Sequence, residues 1–172
     1  MLEILRLTHR IARDKRISTH LGLTARAFLA DKMYYSGEKD SSLESSIEKI
    51  NKKFGGQFVI EHVKDPVKLV KEKKVHGYKI IHLTVYGLSI KTELEKIKKL
   101  KNVLIVVGSE HVPFDFYNLA DINLSITNQP HSELSALAIL LYEIQKNKEF
   151  FYKDALLSIQ PCKLGKKVKK PI

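Results

Sequence analysis

Six short apolar runs punctuate the chain and predict strands at Leu2–Leu7, Met33–Tyr35, Phe58–Val63, Ile80–Thr84, Val103–Val107 and Ile122–Ile126. The segments between them carry helical spacing. Ser41-Ser42-Leu43-Glu44 predicts a capping box, and Ile47, Ile50 and Phe54 continue an apolar stripe that stops at Gly55-Gly56. Asp65-Pro66 predicts an N-cap with proline at the first helical position, opening a helix to about Lys74. A helix is predicted from about Leu21 to Ala30, and another from Thr92 to Leu100 with Leu94, Ile97 and Leu100 on one face. Ser132 to Lys146 is the most apolar helix. Its Leu134, Leu137, Ala138, Leu141 and Ile144 spread widely round the axis, so it is expected to be buried against the sheet or a second subunit. Strands alternating with helices in this way indicate α/β architecture with a parallel sheet.

The bulk composition narrows the class. With 172 residues, 44% of them hydrophobic, the chain is long enough for one well-buried domain, expected over residues 1–150. No apolar run reaches membrane-spanning length, and charges interrupt the first six residues too early for a signal peptide. The single cysteine, Cys162, excludes an internal disulfide framework and a Cys-based zinc site. A cytoplasmic protein is expected. Residues 151–172 form a basic tail with six lysines and one acid, Asp154. This tail reads as a frayed, solvated terminus or as a lysine strip along a phosphate backbone, and Leu156–Ile159 within it could add an edge strand.

The net charge of +11 points to a polyanionic partner, and its distribution is uneven. All five arginines, Arg6, Arg10, Arg13, Arg16 and Arg26, fall in the first 26 residues; every later basic side chain is lysine. Guanidinium offers a planar fork matched to phosphate, whereas lysine is a hydrated point charge. The stretch Arg10 to His20 reads as a long loop between strand and helix. Arginines at that density repel one another unless an anion is present, which favours phosphate binding. His9 and His20 flank it and are expected at the surface or against RNA. Arg26 differs: it sits in the predicted helix from Leu21, where its direction is fixed and a catalytic role beside a pocket is open to it.

Two polar loops, Gly108-Ser109-Glu110-His111-Val112-Pro113 and Asn128-Gln129-Pro130-His131-Ser132-Glu133, each follow a strand and lead into a helix. In parallel sheets ligands sit where such loops converge beyond the strands' carboxyl ends. Neither GxGxxG nor GxxxxGK[ST] nor HExxH occurs, so the usual dinucleotide, nucleoside-triphosphate and HExxH zinc sites lack their residues. Asn128 and Gln129 can read an adenine edge or ribose hydroxyls. Ser132 can cap its helix, and Glu110 and Glu133 suit helix amino ends. His111 and His131 can meet each other or a ligand, and no acidic or cysteine partner stands at metal-ligand spacing, so no metal is expected.

The strings Leu5-Arg6-Leu7-Thr8-His9-Arg10, Arg13-Asp14-Lys15-Arg16, Thr19 to Phe28, His82-Leu83-Thr84-Val85-Tyr86-Gly87, Val107-Gly108-Ser109-Glu110 and Asn128 to Glu133 together carry a family resemblance. The chain resembles the SPOUT class of RNA methyltransferases, and more closely those archaeal enzymes that methylate the ribose 2′-hydroxyl of a T-loop cytidine (tRNA position 56). One departure is Thr127, where the family's motif has glycine. The resemblance implies a Rossmann-like parallel sheet with a carboxyl-terminal trefoil knot, and a homodimer whose active sites borrow residues from the partner. It implies an S-adenosylmethionine pocket lined by Leu83, Gly108, Ser109, Glu110, His111, Val112, Ile126, Thr127, Asn128, Gln129, Pro130, His131, Ser132 and Glu133. Arg26 would act on the 2′-hydroxyl, while Arg6, Arg10, Arg13 and Arg16 would hold tRNA phosphates. A non-catalytic RNA-binding module would explain the arginines but leave the Asn128–Glu133 loop without purpose, and a SPOUT enzyme acting on another nucleotide is a further alternative.

Overall fold

The structure, a computed structural model, describes residues 1–108, 111–146, 148, 150–152 and 154–170. Strand and helix alternate as β1 (Leu2–His9), α1 (Ile11–Ala27), β2 (Lys32–Gly37), α2 (Ser41–Phe54), β3 (Val59–His62), α3 (Pro66–Val75), β4 (Lys79–Ser89), α4 (Ile90–Ile97), β5 (Val103–Val107), α5 (Asp115–Leu119), β6 (Ile122–Ser125) and α6 (Glu133–Gln145). The six strands form one sheet in the order β3-β2-β1-β5-β4-β6, with every pairing parallel. The expected α/β architecture is therefore the observed one.

The sheet is buried on both faces, because successive strand side chains point to opposite sides. Val103, Ile105 and Val107 pack with Ile4, Leu21, Ile97 and Leu137 beneath α1, α4 and α6. Leu104 and Val106 pack with Leu5, Leu7, Val70 and Phe116 beneath α3 and α5. Two caps stand where the residues put them. The Asp65 carboxylate accepts from the Lys68 N–H (2.9 Å) with Pro66 at the helix start, and Ser132 Oγ accepts from the Ser135 N–H (3.1 Å). The α2 cap lies one residue ahead of the expected capping box. Asp40 accepts from the Ser42 and Leu43 N–H groups, while Glu44 instead accepts from the Tyr35 hydroxyl at 2.7 Å.

Three sequence expectations are corrected. The stretch from Arg10 to His20 is not a loop: α1 begins at Ile11, with Arg10 as N-cap. His9 is not at the surface. It is fully buried, with Nδ1 2.9 Å from Ser18 Oγ and Nε2 3.4 Å from Asp40 Oδ2. The tail is neither frayed over residues 154–170 nor an edge of the main sheet. It forms its own antiparallel pair, β7 (Ser158–Gln160) with β8 (Lys167–Lys169), and the Leu157 N–H donates to the Lys53 carbonyl at 2.9 Å.

At the carboxyl end of β4 the chain makes an unusual crossing. Leu124 of β6 is the register partner of both Leu83 and Leu88, so Thr84–Gly87 passes over β6 between those two pairings. The passage is close enough to require glycine. A Cβ on Gly87 would lie 2.6 Å from backbone atoms of Asn123 and Leu124, a distance no real Cβ tolerates against a main chain.

Candidate active site

The β4 crossing and the loops after β5 and β6 enclose a hollow of about 260 Å³ at the carboxyl ends of their strands. That volume is just under the roughly 300–1,000 Å³ common for small-molecule pockets. Leu83, Gly108, Val112, Ile126, His131, Ser132 and Glu133 line it together, so seven of the residues expected around a cofactor converge. Leu83, Val112, Ile126 and Ala136 supply apolar wall, while His131, Ser132, Glu133, Thr84 and Tyr86 supply polar groups. Such a mixed lining suits a ligand with an aromatic ring and several hydrogen-bonding groups.

The rest of the second loop supports the hollow from outside. The Asn128 side-chain amide donates to the Val85 carbonyl (2.6 Å), pinning the loop to the β4 crossing. Thr127 Oγ1 accepts from the Gln129 N–H (3.3 Å), and the Gln129 carbonyl lies 2.8 Å from His131 Nδ1. Thr127, Asn128, Gln129 and Pro130 are exposed and do not line the hollow. Nor does His111, which is exposed beyond the first loop. Ser109 and Glu110 lie outside the described residues.

Arg6 joins the two loops from beneath. It is fully buried on β1; its Nη1 donates to the Gly108 carbonyl, and its Nη2 stands 3.2 Å from a Glu133 carboxylate oxygen. Burial lowers its pKa, and the Glu133 carboxylate opposes that by favouring the charged form. The expectation that Arg6 holds RNA phosphate is thus corrected: the guanidinium is spent inside the protein. Arg10 caps α1, and Arg13 and Arg16 lie in its first two turns, at the same sheet end as the hollow. Arg13 and Arg16 are exposed, and Arg10 pairs through Nε with Asp14 at 3.0 Å.

Arg26 lies elsewhere. It follows the N-cap Arg10 by sixteen positions along α1, roughly 24 Å at 1.5 Å per residue. It therefore sits at the amino ends of the strands, just before Lys32 pairs with Glu3. Its guanidinium donates to Asn51 Oδ1 (2.9 Å) and to the Gly55 carbonyl, and it stacks 4.7 Å from the Tyr152 ring centroid. The chain's own hollow is out of its reach. Within this chain Arg26 therefore holds Asn51, Gly55 and Tyr152 and does not line the hollow.

Sequence reasoning missed His82, Thr84, Val85, Tyr86, Tyr117 and Ala136, which also line the hollow. The string His82 to Gly87 carried part of the resemblance, and that was the available signal. His82 is the most informative of these. Asn123 Nδ2 donates to the Tyr117 carbonyl (3.0 Å), which leaves Asn123 Oδ1 facing His82 Nδ1 at 2.9 Å as an acceptor. His82 Nδ1 must therefore carry a proton, and Nε2 is a buried acceptor without a partner among the described residues. Burial lowers the His82 pKa, against a smaller upward pull from Asn123, and so favours the neutral ring.

Comparison with known proteins agrees with this geometry. A family model described as tRNA ribose 2′-O-methyltransferase, aTrm56, matches residues 54–169. A tRNA (cytidine(56)-2′-O)-methyltransferase of Nitrosopumilus maritimus is 43% identical over 170 residues, covering 98% of this chain and 96% of the relative. The enzyme of that name from Methanosphaera stadtmanae is 44% identical over 171 residues, covering 98% of each. Among solved structures, the A. aeolicus TrmH/SpoU tRNA modifying enzyme matches with a TM-score of 0.61 at 19% identity, over 84% of this chain and 73% of that one. The SpoU methyltransferase AviRb from Streptomyces viridochromogenes, crystallised with AdoMet, gives a TM-score of 0.61 at 16% identity, over 86% of this chain and 57% of that longer chain. The structural likenesses establish a SPOUT fold. Sequence identity sustained over nearly the whole length goes further, and with the matching family model it shows that the chain belongs to the tRNA ribose 2′-O-methyltransferases of the aTrm56 family.

Proposed function

We propose that this protein transfers a methyl group from S-adenosylmethionine to the ribose 2′-hydroxyl of cytidine 56 in tRNA. The observation that carries the reading is the hollow at the carboxyl ends of β4, β5 and β6, in a chain about 43% identical to enzymes of that name. The bound donor supplies an electrophilic methyl on a sulfonium; as the new carbon–oxygen bond forms, the carbon–sulfur bond breaks and the hydroxyl proton leaves to a base. The protein's task is to hold the oxygen in line with that carbon at roughly 3–3.5 Å and to exclude water.

Leu83, Gly108, Val112, Ile126, His131, Ser132 and Glu133 would hold the donor, with Ser109 and Glu110 completing the first loop. Leu83 and Ile126 offer apolar wall for its adenine, and Glu133 is the one carboxylate among the described lining residues for its cationic part. Asn128 acts on the pocket from outside, through the Val85 and Gly87 carbonyls. Arg10, Arg13 and Arg16 would hold phosphates of the target loop. The crossing of Thr84–Gly87 over β6 supports the trefoil knot that the resemblance implies. A homodimer is supported by apolar surface shared by α6 and the residues after it: Ile139, Tyr142, Phe150 and Phe151 are all more than 40% exposed. Among the described residues no helix is long and apolar enough to cross a membrane, and a tRNA substrate accords with a cytoplasmic location.

The test is transfer of radiolabelled methyl to unmodified tRNA followed by nucleotide mapping. Label on the 2′-oxygen of cytidine 56 is expected. Label on a base, or on another nucleotide, overturns the assignment.

A further inference from the structure

A second feature lies at the opposite end of the domain. α2 runs for 14 residues, roughly 21 Å, from the carboxyl side of the sheet to Phe54. Its last two turns present Lys49, Lys52 and Lys53. The β7–β8 hairpin docks there through the hydrogen bond from Leu157 to Lys53. Between them is a hollow of about 500 Å³ lined by Lys49, Lys52, Lys53, Leu156, Leu157 and Lys170, with no acid in the lining among the described residues. Residues 158–170 contain five lysines and no acid, and all five are exposed.

Helix electrostatics explain part of this. Lys52 pairs with Glu48 at 2.6 Å, and Lys52 and Lys53 complement the negative end of the α2 dipole. Neither reason covers Lys170, which arrives from a different element, or Lys49. Ammonium groups gathered round one hollow repel each other, and a polyanion relieves that repulsion while releasing its own counterions. Lysine, as a point charge without a planar fork, suits backbone gripping more than sequence reading.

We propose that the hollow between α2 and the carboxyl-terminal hairpin is a second RNA-binding surface, which grips tRNA phosphates away from the nucleotide being methylated. The inference rests on tRNA being the substrate. It gives the lysine-rich tail a job distinct from that of Arg10, Arg13 and Arg16, which stand at the other end of the domain.

The experiment uses the full chain with Lys49→Ala, Lys53→Ala and Lys170→Ala combined, and measures tRNA affinity against salt concentration without donor. The log–log salt slope is expected to flatten by about 2–3, close to one for each phosphate that the variant no longer neutralises, with affinity down about tenfold or more near 0.15 M salt. The corresponding triple Lys→Arg variant is expected to keep the parent slope, which separates charge from structure. An alanine variant with the parent slope and affinity overturns the inference, as does an arginine variant whose affinity falls as far as that of the alanine one. Methyl transfer by the parent protein tests the functional assignment separately, because the affinity readout involves no donor.

Discussion

Arg26→Ala distinguishes a structural arginine from a catalytic one. The substitution removes two guanidinium hydrogen bonds, to Asn51 Oδ1 at 2.9 Å and to the Gly55 carbonyl, and a stacking interaction with Tyr152 at 4.7 Å. Hydrogen bonds from a charged donor are worth about 1.5–3 kcal/mol each, and the stacking adds about 0.5–1 kcal/mol. Asn51 is only part-buried and can re-pair with water, so a net destabilisation of about 3 kcal/mol is expected, below the simple sum. For a domain of this size roughly 2–4 °C accompanies each kcal/mol, which gives a fall in Tm of about 6–12 °C. Thermal unfolding should be paired with single-turnover methyl transfer, normalised to folded protein, at a temperature well below the transition. If Arg26 serves structure alone, the Tm shift is expected with turnover changed by less than about threefold. An unchanged Tm with turnover reduced by orders of magnitude would refute it and restore a catalytic Arg26, which would then have to act on a site other than its own chain's hollow.

The remaining predictions test the hollow itself. Gly87→Ala places a Cβ 2.6 Å from the Asn123 and Leu124 backbone, so it should abolish donor binding or yield insoluble protein; normal donor affinity by calorimetry would contradict the crossing. Arg6→Met keeps most of the volume but releases Gly108 and Glu133, and should weaken donor binding by about tenfold, or ~1.4 kcal/mol, at the low end of the roughly 1–3 kcal/mol that a buried polar group left unsatisfied costs; unchanged affinity would show that Arg6 does not position the two loops. His82 should appear by nitrogen NMR as the neutral Nδ1–H tautomer at pH 7. Its folded pKa is depressed below an unfolded value of about 6.5, so the unfolded chain takes up the proton first as acid is added. Its contribution to stability is therefore complete above about pH 6.5 and disappears as the pH falls from there towards the folded pKa, by up to about 1.4 kcal/mol per pH unit. His82→Gln should remove that segment of the pH profile, and a ring titrating above 6.5 would disprove the tautomer argument.

Much of the fold is legible in the sequence because the strands are buried on both faces and read as short apolar runs. Asp65-Pro66 and Ser132 mark helix starts by local chemistry, and local chemistry is what a sequence displays. The Arg10–His20 stretch misleads for the complementary reason. Arg10 caps α1 without a side-chain hydrogen bond, so no start signal exists there, and the first turns are held by the Arg10–Asp14 pair and by burial of Ser18 against His9. The misplacement of Arg26 follows directly. A helix begun at Leu21 puts Arg26 near the strands' carboxyl ends, whereas the observed start ten residues earlier carries it roughly 15 Å further down the axis. The two loops that line the hollow are visible as polar strings after apolar runs. The contributions of His82, Thr84 and Tyr86 depend on β4 crossing over β6, a meeting of strands about forty residues apart that no local pattern encodes.

A crystal structure grown with S-adenosylmethionine would show whether the mouths of β4, β5 and β6 hold the methyl donor. Donor density is expected between Leu83, Gly108, Ile126 and Glu133, with Arg6 still bridging the two loops beneath it. Density at any other place on the chain, with that hollow empty at saturating donor, would contradict it.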